Sequence, residues 1–346
     1  MLFQRLLRVL TLLVFGVLPA IWIVGKTVRL LTVELDTRAA YDLRAAFLPA
    51  ADAVLHGASP YPSLGSLLAI PVILALADVR DWRCYGVALC WSPVFNAAQE
   101  VNVSIPIALL AALAWRSSRS WLVLGLSLGC AVAAKVFVWP LLAWPLGSSR
   151  RRALATGVAT GAVLALGSWA AIGFKGLSGY PSLLRTLTSY EETLSYSVSG
   201  ALRVVGFPVF PARAVALLLT LLLCLLCLHF GRRGDERRAL AAAVLAALAG
   251  TPILWQHYLV LLLVPLAVRR TRLSIGWFVP VLLWISPHIG NGDLAQTLLV
   301  PIAAGFVGAV CLVPDGWAGP LRGALGRSLS NDNRLKPASG SRRLSR

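Results

Sequence analysis

An all-α, polytopic membrane fold is what this sequence predicts, on three observations. Of the 346 residues, 58% are hydrophobic and 13% charged, against roughly 25% charged in soluble domains. Apolar runs recur from residue 9 to residue 313. The basic residues stand in short clusters between those runs, which is how membrane helices are oriented.

A hydrocarbon core of ~30 Å needs about 20 helical residues. The runs 9–31, 153–174, 209–230 and 294–313 are long enough to span alone. The first follows Arg5 and Arg8 but is too long for a signal peptide and lacks a small-residue cleavage site, so it reads as a retained helix. Shorter runs occupy 64–77, 84–97, 103–115, 120–134, 136–146, 239–254, 257–268 and 273–286, giving about 10–12 hydrophobic segments in a helix bundle.

Several short runs form pairs that begin and end on one side, as two thin spans or one re-entrant hairpin. Broken helices expose backbone, which a bilayer tolerates only where protein or a water-filled cavity surrounds it. Their tips are therefore expected to line a site. The polar residues there are Asn96, Gln99, Glu100 and Asn102 in the first pair, Lys135 in the second, and Trp255, Gln256 and His257 in the third.

The formal charge of +18 would suggest nucleic acid in a soluble protein, but no nucleic-acid motif is present and the clusters fit membrane orientation better. They place the N-terminus in the cytoplasm and residues 32–63 on the outer face. Residues 1–313 form the membrane domain; the basic stretch 314–346 reads as a disordered cytoplasmic tail near anionic headgroups. The six cysteines lie in or beside apolar runs, and Cys224 and Cys227 lack the second ligand pair of a zinc or redox site.

Val33–Tyr61 is the stretch the chain is organised around, with four of the fourteen acidic residues. A carboxylate just outside an apolar segment stays solvated yet faces a lipid-borne substrate, which one at mid-membrane could not do cheaply. Asp42 is first choice for chemistry, Asp36 second and Asp52 third. Leu43, Phe47, Ala50 and Val54 recur at helical spacing, predicting an interfacial helix over 37–55 with a kink at Pro49. Asp42 could also simply cap that helix. A second outer loop, from Lys175 to Val209, adds Tyr180, Tyr190, Glu191, Glu192 and Tyr196 as a wall, with both glutamates expected to be solvated.

The order Asp42, Gly57, Ser59-Pro60-Tyr61, then Trp91-Ser92-Pro93-Val94, Gln99 to Asn102, Lys135 with Trp139-Pro140, and Pro252 to Tyr258 resembles glycosyltransferase family 87. These are polyprenyl-phosphate-mannose-dependent mannosyltransferases of the GT-C type, and the resemblance covers about residues 10–310. It implies a multi-pass fold, a lipid-linked donor entering laterally, an outer-loop aspartate acting on the acceptor hydroxyl, and no metal or other cofactor. The chain departs from the family pattern after Tyr61, where a Tyr-Pro-Pro element and about one helix are missing, an apparent internal deletion.

Within that frame Asp42 is the general base of an inverting transfer. Lys135 stands in AVAAKVFVWPLL, where an ammonium at mid-membrane costs ~2.5–3.5 kcal/mol; it binds the donor phosphate or snorkels to outer headgroups. His257 contacts phosphate or sugar, or anchors a helix end among aromatics. Gln99, Asn102 and Tyr61 are assigned to the sugar and acceptor. The expected activity is hexosyl transfer from a polyprenyl phosphate to a glycolipid or glycan at the outer face of the plasma membrane. A transporter or flippase and an inactive truncated family member remain as alternatives.

Overall fold

The computed structural model describes residues 10–19, 21, 63–100, 102–286 and 294–314. All regular structure among them is helical, as the apolar runs require. The chain divides into Met1–Cys311 and Leu312–Arg346, and the architecture below is that of the first unit. The interfacial helix expected over 37–55 and the basic tail lie outside the described residues, as does most of the first apolar run. Its described part is helical, with a π-turn at Leu13–Val17.

Helix α1, Ser63–Leu76, contains Pro71. The chain turns through Asp78, at a left-handed φ of 63°, to α2, Trp82–Leu89. Asp81 caps α2 by accepting from the Arg83 backbone N–H at 3.2 Å, and it also accepts from the Leu273 N–H at 3.0 Å. Its hydrogen bonds to the Arg83 guanidinium hold the Asp81 carboxyl down at about 2.

After an extended Trp91, Pro93 starts α3, Ser92–Gln99, where a missing N–H costs nothing. Helix α4, Ser104–Arg116, follows at a bend of 119°. Helix α5, Trp121–Ala134, breaks at Lys135, which is extended at φ −150°, ψ 114°. A 3₁₀ stretch, Val136–Leu142, with Pro140 inside it, then runs into α6, Ala143–Gly147.

The long helix α7, Arg151–Ala171, leads to the surface helix α8, Tyr180–Glu191, the short α9, Val198–Val204, and the long α10, Val209–Arg232. Helix α11, Glu236–Gly250, is followed by a 3₁₀ stretch, Gln256–Leu262, that continues as α12, Leu263–Arg269. The chain then forms α13, Ile275–Phe278, another 3₁₀ stretch, Val279–Ile285, and α14, Leu294–Leu312.

Among the described residues α7 and α10 are long and apolar enough to cross a membrane alone, and α3 with α4 makes a third span if the bent pair counts as one. Three of the short runs contain seven-residue 3₁₀ stretches. At about 2.0 Å per residue instead of about 1.5 Å, 3₁₀ geometry lengthens a short apolar segment.

The lipid-facing and protein-facing roles divide between helices. Leu217, Leu218, Leu221, Leu222 and Leu225 of α10 are exposed, whereas α11 is buried along almost its whole length from Ala239 to Ala249. An alanine-rich helix at the centre lets its neighbours approach closely, the means by which helices associate where no hydrophobic effect separates protein from lipid. One such close approach joins α5 to α7. A Cβ on Gly125 would lie 2.6 Å from the Ala153 carbonyl, and one on Gly129 2.6 Å from the Gly157 carbonyl.

Carboxylates fasten the helix ends in the basic loops. Glu236 accepts from Trp144 Nε1 at 2.6 Å, Ser148 Oγ at 3.0 Å and Arg150 Nη2 at 3.2 Å, tying the starts of α7 and α11 to α6. Near the end of α14, the Cys311 carbonyl accepts from Arg269 Nε at 2.9 Å. All six cysteines are free thiols.

Substituting Gly129→Ala should destabilise the protein by about 1–3 kcal/mol. Gly167→Ala, in the same α7 region but with open space around it, should be neutral or stabilising by up to about 1 kcal/mol. Thermal unfolding of the detergent-solubilised protein distinguishes the two, and equal effects would contradict the α5–α7 contact.

Candidate functional site

Three helix breaks come together in one polar junction. The first is the turn from α3 to α4, where Asn102 is 1% exposed and its Oδ1 accepts from the Ser104 N–H at 3.0 Å and Ser104 Oγ at 2.6 Å. Those bonds satisfy the start of α4, whose own cap, Val103, has no side chain to offer.

The second break is Lys135. Leaving the helix at the end of α5 directs its ammonium back to the first break, with Nζ 3.3 Å from Asn102 Oδ1. The third is the segment Thr251–Trp255, which ends α11. There Tyr258 presents its ring face to Lys135, with Nζ 4.0 Å from the centroid, and Phe137 stacks with the same ring at 4.9 Å. Lys135 and Tyr258 are both half-buried, and a cation over an aromatic face gains about 0.5–2 kcal/mol as water is withdrawn from it.

His257, beside Tyr258, is buried. Its Nδ1 lies 3.1 Å from Asn96 Oδ1 of α3. With the amide oxygen facing it, Nδ1 carries the proton, so Nε2 holds a lone pair. Nε2 is buried and has no hydrogen-bond partner among the described residues. A buried polar atom left this way is costly and marks a place where a ligand group can bind. Next to it, Gln256 Nε2 donates to the Leu283 carbonyl at 2.7 Å, which holds the third break against the last 3₁₀ stretch.

The loop between α8 and α9 closes against the same break. The Tyr196 N–H donates to the Leu254 carbonyl at 2.8 Å, and Ser286 Oγ donates to Tyr196 Oη at 3.2 Å. Glu192 corrects the expectation that it is solvated: it is 3% exposed and accepts from Arg213 Nε at 3.0 Å and Nη2 at 2.8 Å. Burial is the largest single influence and would raise its pKa, but the Arg213 and Ser199 hydrogen bonds together with the positive charges of Arg213 and Arg203 outweigh it and leave the carboxyl below the usual range. Glu192 is thus a fastener between the loop and α10. Glu191 beside it is partly exposed.

Of the sequence-derived site residues, the structure brings Lys135, Asn102 and His257 to one junction. Gln99 closes α3 and is partly exposed. Asp42 and Tyr61 lie outside the described residues. The sequence placed Asn96 among the polar tips expected to line a site but gave it no partner, named Tyr258 only within the Pro252–Tyr258 stretch and the aromatics beside His257, and assigned no role to Phe137. The pattern Phe137, two residues after the lysine, and Tyr258, directly after the histidine, was the available signal.

These features define a polytopic helical membrane protein with a buried junction suited to an anion and to hydroxyl groups. The chain belongs to glycosyltransferase family 87, whose sequence model it matches over residues 2–254. It is a membrane glycosyltransferase, a hexosyltransferase that uses a sugar donor and an acceptor. The match ends at residue 254, inside the third break and short of His257 and Tyr258, so the participation of those two residues rests on the geometry. No curated protein and no solved structure matches the chain.

Replacing Glu192→Gln should cost about 1–3 kcal/mol at neutral pH, because a charge-assisted pair becomes a neutral one. A depressed carboxyl pKa contributes stability above its unfolded value and loses it as the group protonates. The gap between wild type and variant should therefore close as pH falls below 4.5. Thermal melts from pH 7 downward check this, and a gap constant with pH would contradict the ion pair.

Proposed function

We propose that the protein transfers mannose, or a similar hexose, from a polyprenyl phosphate to a glycolipid or glycan acceptor at the outer face of the plasma membrane. The observation that supports this most directly is the Lys135 ammonium held 3.3 Å from Asn102 and 4.0 Å from the Tyr258 ring centre, in a family that transfers sugars. A phosphate that leaves with a full negative charge needs a fixed positive charge where that charge develops. Lys135 provides it.

In this reading the acceptor hydroxyl gives its proton to the Asp42 carboxylate as its oxygen attacks the anomeric carbon. The bond from that carbon to the phosphate oxygen breaks, and its electron pair leaves with the phosphate. Attack opposite to the leaving group inverts the configuration. His257 takes a hydrogen bond at its Nε2 lone pair from a sugar hydroxyl beside the phosphate. Gln99 and Tyr61 supply hydroxyl contacts on the sugar and acceptor, and Asn102 contributes its amide Nδ2, since its oxygen is engaged in capping α4 and holding Lys135.

The basic loops support a cytoplasmic placement of their side of the membrane, which leaves the junction at the outer side, where a lipid-linked donor is reached laterally. The convergence of polar groups at helix tips favours an enzyme over a transporter, whose substrate groups gather at mid-membrane.

Membranes containing the protein, supplied with polyprenyl-phosphate-linked radiolabelled mannose, should form labelled glycolipid. Asp42→Asn should lower kcat by about 10²–10⁴-fold, the size of a general-base contribution. Lys135→Ala should raise the donor KM far more than the acceptor KM. Unchanged turnover in the first variant would remove Asp42 as the base, and equal donor affinity in the second would remove Lys135 from the phosphate. Movement of label across the membrane without product would favour the transporter.

A further inference from the structure

At the opposite end of α5 from Lys135, about 20 Å away along a 14-residue helix, lies a cavity of about 560 Å³. The α4–α5 turn and the start of α7 form its walls, with Arg119, Arg150, Arg151 and Arg152 among the lining residues together with Ser149 and Trp121. Arg119, Arg151 and Arg152 are exposed and Arg150 is half-buried, so water screens their mutual repulsion, and an anion entering the cavity would meet four positive charges.

The charge is only partly offset by the protein. Glu236 accepts from Arg150 Nη2 at 3.2 Å, but Arg150 Nη1 is buried and has no hydrogen-bond partner among the described residues. Arg119, Arg151 and Arg152 form no ion pair among the described residues. The positive end of the α7 dipole adds to the same field. Planar guanidinium groups recognise phosphate oxygens through paired N–H donors, so the matching ligand is a phosphate ester.

The surroundings favour a lipid as the source of that phosphate. Trp121 is 49% exposed at the rim, and tryptophan collects at the headgroup level of membranes. Beyond it Leu122 and Leu126 of α5 and Val158 of α7 are exposed, an apolar surface on the two helices that leave the cavity. A headgroup phosphate in the cavity would place its acyl chains along this surface.

We propose that this cavity binds the headgroup phosphate of an anionic phospholipid, on the face opposite to the glycosyl-transfer junction. Basic pockets between membrane helices bind such headgroups, each basic residue near the surface contributing about fivefold in affinity.

The test uses the full chain, delipidated in detergent and titrated with short-chain phosphatidylglycerol, short-chain phosphatidylcholine or inorganic phosphate, with bound ligand counted by native mass spectrometry. Phosphatidylglycerol should bind more tightly than either of the others. Arg151→Gln with Arg152→Gln should weaken it about thirtyfold, while the same charge loss at Arg232 and Arg233, exposed at the end of α10, should have little effect. If the first pair of changes disturbs folding, Arg119→Gln alone, in the loop before α5, should weaken binding about fivefold. Equal binding of the two lipids, equal loss from the Arg232 and Arg233 changes, or inorganic phosphate binding as tightly as the lipid would each overturn the proposal.

Discussion

Backbone that leaves helical geometry inside a membrane must find hydrogen-bond partners within the protein, and the architecture follows from that constraint. The chain breaks α3–α4, α5 and α11 within apolar surroundings, and the breaks become tolerable by meeting one another. Asn102 supplies the cap that the start of α4 lacks, and the same oxygen receives the Lys135 ammonium. Tyr258 covers that ammonium with its ring, and His257 reaches across to Asn96. A site of polar groups in a greasy protein is thus also the solution to a problem of chain geometry.

The breaks would drift apart without fastening from behind. Trp91 Nε1 donates to the Trp277 carbonyl and Trp284 Nε1 to the Cys90 carbonyl, each at 2.8 Å, so the break before α3 is pinned to the segment around α13. Glu192 with Arg213 ties the α8–α9 loop to α10, and the Tyr196 N–H then donates to the Leu254 carbonyl within the third break. In the basic loops Asp81 and Glu236 do the same for α2, α6, α7 and α11. Each of these three carboxylates is engaged: Asp81 by Arg83 and Leu273, Glu236 by Trp144, Ser148 and Arg150, and Glu192 by Arg213.

Much of this was legible in the sequence, and what was not has a physical reason. The positions of the breaks were legible, because Lys135, the stretch Asn96 to Asn102 and the stretch Trp255 to His257 interrupt apolar runs that a bilayer would otherwise keep unbroken. Which breaks meet was not, since Asn102, Lys135 and Tyr258 are separated by intervals that no local periodicity records. Glu192 was misread because its partner, Arg213, is 21 residues away, inside an apolar run where a sequence offers no reason to pair it. The 3₁₀ stretches escaped as well: their apolar content matches that of an α-helix, and only the change of rise per residue tells them apart.

Helix α5 shows how the two polar regions depend on packing that is itself apolar. Its first residue lines the arginine cavity and its last precedes Lys135. A helix with lipid on one side could slide or roll by a few tenths of an ångström at little cost. Gly125 and Gly129 prevent this by seating α5 directly on the backbone of α7, where a single added carbon would lie 2.6 Å from a carbonyl oxygen. Contact this close fixes rotation and axial position together, because the groove accepts the helix in only one register. The ammonium therefore meets Asn102 and Tyr258 with its backbone already in place, and preorganisation of that kind is what the proposed transfer would require of a charge facing a leaving phosphate.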